Sequence, residues 1–348
     1  MQKGMLLPQF AAELMRQKEA KADFVSDTRE LSLDSSLQLK VGSIGSFSVG
    51  NLAHNQIAER LKMPVKFYDH LRSNHPDMLA FNVNELFKRE PERRMVRTMD
   101  GKARAFLSDR YRIMDNAVVA ETVLPLLGSL DDVEVLSAEI TESRLYLQVV
   151  NKRISAEVKK GDVVQSGVII SNSEVGLGAF NVTPLVYRLV CLNGAIVNAL
   201  GSSSYHIGKR AAAQDGAYEL YRDETLLADD RAFMLKAGDL VRAAIADVRG
   251  FETIVGKWRE ATERSIESNP VKSVEVVAKR FQLSETERGS VLTHLIQGGD
   301  LSAYGVMNAI TRSAQDSKDY DRAVELQAIG PKVIDLPTSE WKQIALAA

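Results

Sequence analysis

Residues 163–200 read V-V-Q-S-G-V-I-I-S-N-S-E-V-G-L-G-A-F-N-V-T-P-L-V-Y-R-L-V-C-L-N-G-A-I-V-N-A-L, and this stretch decides the fold of the chain. Two apolar runs rich in β-branched residues flank a turn-rich polar segment at 171–176, so the stretch predicts two core strands with a tight connection. The dipeptide Asn193-Gly194 interrupts the second run, and the apolar residues after it can form a helix. The stretch is more polar than a core hairpin needs. Its polar side chains are Asn172, Ser173, Glu174, Asn181, Thr183, Tyr187, Arg188 and Asn193.

A second pair of strands precedes this stretch. Residues 133–140 and 144–150 read as two strands on either side of a short turn, and the second strand alternates apolar and polar side chains. The alternation in the second strand places three polar side chains together on one face of the sheet, where a ligand can reach them. These side chains are Arg144, Tyr146 and Gln148.

The remainder of the chain indicates the fold class. From about residue 211 onward the hydrophobic periodicity is mostly helical, and Ser284 with Glu287 predicts a capping box at the start of one helix. We therefore expect an α+β protein. Its antiparallel β-sheet core with packed helices would occupy residues 1–210, and a mainly helical C-terminal region would occupy residues 211–348.

The composition excludes several classes of protein. The residues are 45% hydrophobic and 26% charged, and the formal net charge is -2, so any nucleic-acid surface must be a local patch. The single cysteine, Cys191, excludes an internal disulfide framework, and its apolar neighbours predict that it lies in the core. No apolar run has the length of a signal peptide or a membrane span, so we expect a cytoplasmic protein with no membrane partner.

Positive charge is concentrated at residues 88–112, which contain nine basic and four acidic residues. Asp100-Gly101 lies between two strand-like runs, which is the strongest short signal for a hairpin. With that turn, Arg97 is expected to face Arg104. Two arginines directly opposite each other repel, and an anion lying across them would relieve the repulsion. The alternative is a solvated face on which the arginines splay apart or pair with acids elsewhere.

No motif in the sequence indicates catalysis. There is no phosphate-binding G-x-x-x-x-G-K-[ST] loop, no G-x-S-x-G nucleophile elbow, and no histidine or cysteine pair at metal-ligand spacing. We therefore expect no catalytic residue, no metal site and no cofactor. Glu174 is the one candidate acid or base in the polar segment, and it has no partner at a readable spacing. Asn308 and Arg312, one helical turn apart, predict either a ligand contact or hydrogen bonds to a neighbouring segment.

Three segments carry a resemblance to a known family. They are S-N-S-E-V-G from Ser171 with V-Y-R-L-V-C-L-N-G from Val186, L-S-D-R-Y-R-I-M-D-N at 107–116, and N-A-I-T-R-S-A-Q at 308–315. Together they resemble the signature of a phage- and plasmid-encoded family, the phage/plasmid-like proteins, whose domain has no assigned function. The resemblance implies a mobile-element origin. The architecture is also similar, more loosely, to that of the single-strand annealing proteins of phages, which is an analogy of fold only.

These observations predict a non-catalytic protein that binds or anneals single-stranded DNA in the recombination or replication of a phage or plasmid. Arginine contacts phosphate and tyrosine stacks on bases, and both devices serve single strands. We expect the protein to form a homo-oligomer, so that many weak contacts add up. The predicted nucleic-acid contacts are Arg94, Arg97, Lys102, Arg104, Arg110, Arg112, Arg144, Tyr146, Tyr187 and Arg188. The residues predicted to shape the turn and the groove are Asn172, Ser173, Glu174, Gly176, Asn193 and Gly194.

Two alternatives remain open at the level of the sequence. The first is an enzyme acting on nucleic acid or a nucleotide, with Glu174, Asn172 and Asn193 at its centre. The second is an interaction protein of a mobile element, whose partner is a protein of the host. The sequence also leaves open whether residues 51–72 form a helix-turn-helix.

Overall fold

A computed structural model describes residues 4–111, 114–178, 180–197, 205–206 and 223–347. In this part of the chain the α+β prediction is confirmed, with helices dominating the C-terminal half. The chain divides into two compact units. Unit 1 comprises Met1–Phe10, Val118–Asn172 and Ala179–Ala348, and unit 2 comprises Ala11–Ala117 and Ser173–Gly178. The domain boundary predicted at residue 210 falls outside the described residues, so it stays a prediction.

Unit 2 is built on one six-stranded sheet. Its strands are β1 (Lys21–Asp27), β2 (Leu31–Leu33), β3 (Gln38–Val41), β4 (Gly45–Val49), β5 (Arg93–Met99) and β6 (Lys102–Ser108). The strand order is β1-β5-β6-β4-β3-β2, and every neighbouring pair is antiparallel except β4 with β6.

Four helices accompany this sheet along the chain. They are α1 (Leu7–Ala20), which begins in unit 1, and α2 (Asn51–Arg60), α3 (Val65–Asn74) and α4 (Pro76–Arg89). Helix α4 buries Leu79, Val83 and Phe87, spaced four residues apart, in a core that includes Val96 of β5. This spacing forms a single apolar stripe, so one face of α4 is buried in the core of the unit.

The hairpin of β5 and β6 confirms the predicted turn and corrects the predicted register. Asp100 and Gly101 have φ values of 52° and 73°, the positive values that a tight two-residue hairpin turn requires. The pairing register shifts between Arg97 and Thr98, so Arg97 pairs with Ala105 and not with Arg104. Arg104 is the extra residue of a β-bulge, and one inserted residue displaces every pair beyond it. The prediction that the two arginines face each other is therefore wrong.

Unit 1 contains the second sheet. Its strands are β7 (Val133–Ile140), β8 (Leu145–Glu157), β9 (Val163–Asn172), β10 (Asn181–Arg188), β11 (Asn193–Ile196) and β12 (Tyr205–His206). The order is β11-β10-β9-β8-β7, with β12 paired to β10, and all of these pairs are antiparallel. The prediction of a helix directly after Gly194 is wrong for Ala195 and Ile196, because these residues belong to strand β11.

Helices cover this sheet and form the C-terminal part of unit 1. They are α5 (Asn116–Gly128), which begins in unit 2, and α6 (Asp223–Ile245), α7 (Val248–Thr262), α8 (Pro270–Phe281), α9 (Glu285–Gly298), α10 (Ala303–Ser313), α11 (Tyr320–Lys332) and α12 (Thr338–Ala345). The capping box predicted for Ser284 and Glu287 is confirmed at the start of α9. None of the helices in the described residues has the length and apolar character that crossing a bilayer requires.

Both faces of the second sheet are covered. Val164 and Val186 pack on one side with residues of α7 and α10, while Ile169 and Tyr146 pack on the other side with Tyr320 of α11. The face predicted to present polar side chains to a ligand is therefore buried, because a helix from far along the chain lies over it.

Candidate functional site

The charge of the β5–β6 hairpin is partly neutralised inside unit 2. Arg97 is only 2% exposed. Its guanidinium donates to both carboxylate oxygens of Asp23, at 2.8 and 3.0 Å, and to Asp115 at 2.8 Å. It also donates to the backbone carbonyl of Glu174. We call Asp23, Arg97, Arg104, Asp115 and Glu174 the buried ion cluster. The carboxylates of the protein itself occupy the position where an external anion was expected.

Glu174 closes this cluster from the polar segment after β9. One carboxylate oxygen accepts a hydrogen bond from Arg104 at 2.8 Å, and the other accepts from the backbone N–H of Asn116 at 3.0 Å. Asn116 is the first residue of α5, and a carboxylate is favourable at the positive end of a helix dipole. Glu174 is 4% exposed. Both oxygens therefore have partners inside the unit, and these contacts fix the position of the Glu174 side chain.

The segment at 173–178 is fitted closely into unit 2. Val175 packs in the cluster that contains Leu107, and its carbonyl accepts a hydrogen bond from Gln56 at 2.8 Å. Tyr111 donates its hydroxyl hydrogen to the carbonyl of Ser173 at 3.2 Å. Gly176 has φ +86°, and a Cβ there would lie 2.6 Å from Leu107 Cδ2. Glycine adopts a positive φ without strain and has no Cβ to contact Leu107. The packing of unit 2 therefore constrains this family landmark.

The ionisation of the cluster follows from its contacts. Burial alone would raise the pKa of Asp115, but hydrogen bonds from Lys21 and Arg97 outweigh it and hold the pKa below its ordinary value. Burial alone would lower the pKa of Arg97, and its bonds to Asp23 and Asp115 raise it instead. The charged forms are therefore the stable ones in the folded state.

The exposed cations of the basic segment lie at the open end of the hairpin. Lys88 and Arg89 end α4, Arg93 begins β5, and Arg110 follows β6, and all four are exposed. Because Arg94 pairs with Ser108, the start of β5 and the end of β6 are adjacent. We call Lys88, Arg89, Arg93 and Arg110 the open-end cations. This is the part of the basic segment that an external anion can reach.

The other predicted contacts of unit 2 are less accessible. Arg94 binds Glu92, which also accepts from Arg60, and Lys102 is half-buried. Arg112 lies outside the described residues.

The predicted contacts in unit 1 are mostly buried. Tyr146 is 5% exposed and packs its ring 5.6 Å from that of Tyr320, and Tyr187 is 9% exposed. Arg188 donates to both carboxylate oxygens of Asp162, at 2.6 and 2.8 Å. Arg144 is half-buried. The two tyrosines offer no stacking platform in this structure.

A second polar network joins two family landmarks. Asn193 donates to Thr311 of α10 at 2.6 Å, and Arg312 donates to the carbonyl of Cys191. Gln315 donates to the carbonyls of Cys191 and Leu192, at 3.2 and 3.1 Å. Of the two roles predicted for the polar face of α10, the structure shows hydrogen bonding to a neighbouring segment. Cys191 lies in the turn between β10 and β11 and is only partly buried, so the prediction of a core cysteine is wrong.

The remaining turn and groove residues are structural parts of the second sheet. Asn172 ends β9, is fully buried and pairs with Leu145 of β8. Gly194 pairs with Tyr187 of β10. Within the described residues there is no group of three or more metal-ligating side chains that could hold a metal ion.

Residues 105–328 match the family model described as "Domain of unknown function (DUF932)". The chain belongs to the DUF932 family. No curated protein and no solved structure matches it.

The DUF932 match includes part of the buried ion cluster and the network of Asn193 with α10. It begins just after Arg104, so Arg97 and Arg104 lie before the DUF932 region while Asp115 and Glu174 lie within it. All three quoted landmarks lie inside the match. The contacts of these landmarks stabilise the fold, and sequence reasoning missed this because their partners are distant along the chain.

Proposed function

We propose that this protein binds single-stranded DNA without catalysing a reaction, through the open-end cations of unit 2. The observation that carries the proposal is the convergence of these exposed side chains at one end of the sheet. The resemblance to phage- and plasmid-encoded proteins implies a mobile element, and there the protein would act in recombination or replication. The protein would form a homo-oligomer, so that the few weak phosphate contacts of each copy add up.

The architecture explains the convergence. Arg89 ends a helix that leads directly into β5, and Arg93 opens that strand. The antiparallel pairing of β5 with β6 brings Arg110 back to the same end. Arginine binds phosphate oxygens with a planar fork of donors, so three arginines at one end suit a flexible phosphate backbone.

The neighbouring acids do not prevent such binding. Glu85 lies 3.8 Å from Lys88 and 3.3 Å from Arg89, and these pairs are exposed to solvent. Exposed ion pairs contribute less than about 1 kcal/mol, so phosphates can replace them. Arg97 and Arg104 differ, because they are themselves largely buried and bind carboxylates inside unit 2, and we do not assign them to the DNA contact.

The test is a triple substitution, Arg89→Ala with Arg93→Ala and Arg110→Ala. Binding of a fluorescein-labelled oligodeoxythymidylate is measured by anisotropy over a range of salt concentrations. Each phosphate contact with a single strand contributes about 0.7 to the slope of log affinity against log salt, so the triple variant should lose about 2 from that slope. The matched control is Arg242→Ala with Lys272→Ala and Lys279→Ala, which removes three exposed cations from unit 1.

Two results would overturn the proposal. One is a wild-type protein that does not bind the oligonucleotide even at low salt. The other is a triple variant whose affinity and salt slope equal those of the control variant. A parallel titration with duplex DNA decides whether the preference is for single strands.

A further inference from the structure

A groove in unit 1 lies between α7 and the outer half of β8. Its cavity has a volume of about 370 Å³, within the range of about 300 to 1,000 Å³ typical of ligand sites. Ile154 and Ala156 of β8 and Phe251 and Val255 of α7 form its apolar lining. We call this the β8–α7 groove. It is far in sequence from the open-end cations and belongs to the other unit.

The helical wall of the groove is a single face of α7. Val248, Phe251, Val255 and Arg259 follow one another at intervals of three and four residues. At 1.5 Å per residue this wall is about 16 Å long. That length accommodates an extended segment of about five residues at about 3.3 Å each.

The opposite wall is a strand edge. β7 pairs with β8 only as far as Asn151, although β8 continues to Glu157. The backbone N–H of Lys152 still donates to the carbonyl of Asp132, at 2.8 Å, and beyond it no strand of the described part of the chain pairs with residues 153–157 on that side. Four consecutive residues, 153–156, line the groove. Because consecutive residues of a strand point to opposite faces, a groove that all four residues line reaches the edge of β8.

The ladder is also interrupted on the β9 side of this segment. Asn151 pairs with Ser166 and Ser155 pairs with Gln165, so Lys152, Arg153 and Ile154 have no partner in β9. An unpaired strand edge is a template for adding a further strand. An extended peptide that binds there gains backbone hydrogen bonds, and its alternate side chains enter the groove.

Two arginines give the groove a preference for negative charge. The side chain of Arg153 is 70% exposed even though it contacts Asp132. Arg259 is held in place by two hydrogen bonds to the carbonyl of Glu157, at 3.0 and 2.6 Å, which use Nε and Nη2. Nη1 of Arg259 is not used in these bonds. Glu252 is the one acid that lines the groove, so the two arginines outnumber it.

We propose that the β8–α7 groove binds an extended peptide segment of a partner protein by strand addition to the edge of β8. An apolar side chain of the peptide packs against Val248 and Ile154, which are more accessible than the buried Phe251 and Val255. A carboxylate, from an acidic side chain or the C-terminus, binds Arg259 and Arg153. This interaction is independent of the proposed DNA binding, because its residues are all in unit 1.

The experiment selects peptides from a random displayed library against the full-length protein and measures the affinity of the enriched peptides. The groove variant is Val248→Glu with Arg259→Gln, and the control is Val271→Glu with Arg280→Gln on α8. Both pairs replace an exposed valine and an exposed arginine. Loss of one charged hydrogen bond is worth about 1.4 kcal/mol or more, so the groove variant should bind at least about tenfold more weakly. The control should bind like the wild type.

Hydrogen exchange supplies the readout that is specific for strand addition. Bound peptide should protect backbone amides within 154–157 from exchange, since those of Lys152 and Arg153 already donate to Asp132 and Asn151. The proposal is overturned if no peptide is enriched, if enriched peptides bind the groove variant and the control equally well, or if protection appears elsewhere. Enrichment of sequences without an acidic residue or a free C-terminus would also contradict it. A groove variant that has lost its fold is recognised by its circular dichroism spectrum, and Arg259→Gln alone then replaces it.

Discussion

The two ends of the β5–β6 hairpin have similar composition and opposite environments. Near the turn, Arg97 is 2% exposed and is bound to the carboxylates of Asp23 and Asp115 and to the backbone carbonyl of Glu174. At the open end, Arg89 and Arg93 are exposed. The comparison shows that a dense run of arginines can be divided between two environments. One part is bound to acidic groups and carbonyls inside the unit, and the other part is exposed to solvent.

The largest expected effect comes from removing the centre of the buried ion cluster. Arg97→Met removes the buried guanidinium that binds the carboxylates of Asp23 and Asp115, whose side chains are 22% exposed. Breaking a buried ion pair in this way costs about 3 to 5 kcal/mol of folding free energy. The measurement is guanidinium denaturation followed by circular dichroism, together with hydrogen exchange of β5 and β6. Tryptophan fluorescence is unsuitable, since Trp258 and Trp341 both lie in unit 1.

A loss below about 0.5 kcal/mol for Arg97→Met would contradict the assignment of Arg97 to the fold. Arg97 would then have to be re-examined as a contact for an external anion.

An intermediate effect should come from pH, through a buried histidine of unit 2. His54 is 4% exposed and its Nδ1 lies 2.9 Å from the hydroxyl oxygen of Tyr68. Burial, and to a lesser extent the charge of Arg72, lowers the pKa of His54 from 6.5 to about 4. The unfolded chain therefore binds a proton at this site at a higher pH than the folded chain does. Stability should fall by up to about 3 kcal/mol as the pH decreases from about 6.5 to about 4.

The measurement for His54 is the free energy of unfolding against pH in the wild type and in His54→Gln. The variant should lose this part of the pH dependence. Asp115, whose pKa is lowered, adds its own loss of stability only at still lower pH. An identical pH profile in the two proteins would show that His54 titrates normally and that its surroundings are more hydrated than the packing indicates.

The smallest effect on stability is expected at the open end. Arg93→Ala should change the free energy of unfolding by no more than about 0.5 kcal/mol, because the side chain is exposed. The same denaturation experiment measures it beside Arg97→Met, so the two variants calibrate each other. A destabilisation of Arg93→Ala as large as that of Arg97→Met would remove the distinction between the two ends.

Parts of the candidate site were predictable and parts were not. The sequence showed that residues 88–112 carry the local positive charge, and the open-end cations belong to that segment. It did not show which of its arginines are exposed. Tyr146 was predicted to face a ligand because its strand alternates, but α11 covers that face of the sheet. Alternation identifies the two faces of a strand, and it does not say whether a distant helix covers both.

The β8–α7 groove could not be predicted from the sequence either. Its strand edge is free because β7 is shorter than β8, and its helical wall lies about a hundred residues further along the chain. A local pattern contains no information on where one strand stops relative to its neighbour.

The sequence by itself determined the features that depend on a few neighbouring residues. The turn at Asp100-Gly101 and the capping box of Ser284 with Glu287 form as predicted, because backbone dihedral preferences and short-range hydrogen bonds decide them. Only the tertiary structure decided that Arg97 is buried and which groups it binds. Its partners Asp23 and Glu174 are 74 and 77 residues away along the chain. Burial of a charge depends on such distant partners, since a buried arginine is stable only when folding brings carboxylates and carbonyls to meet it.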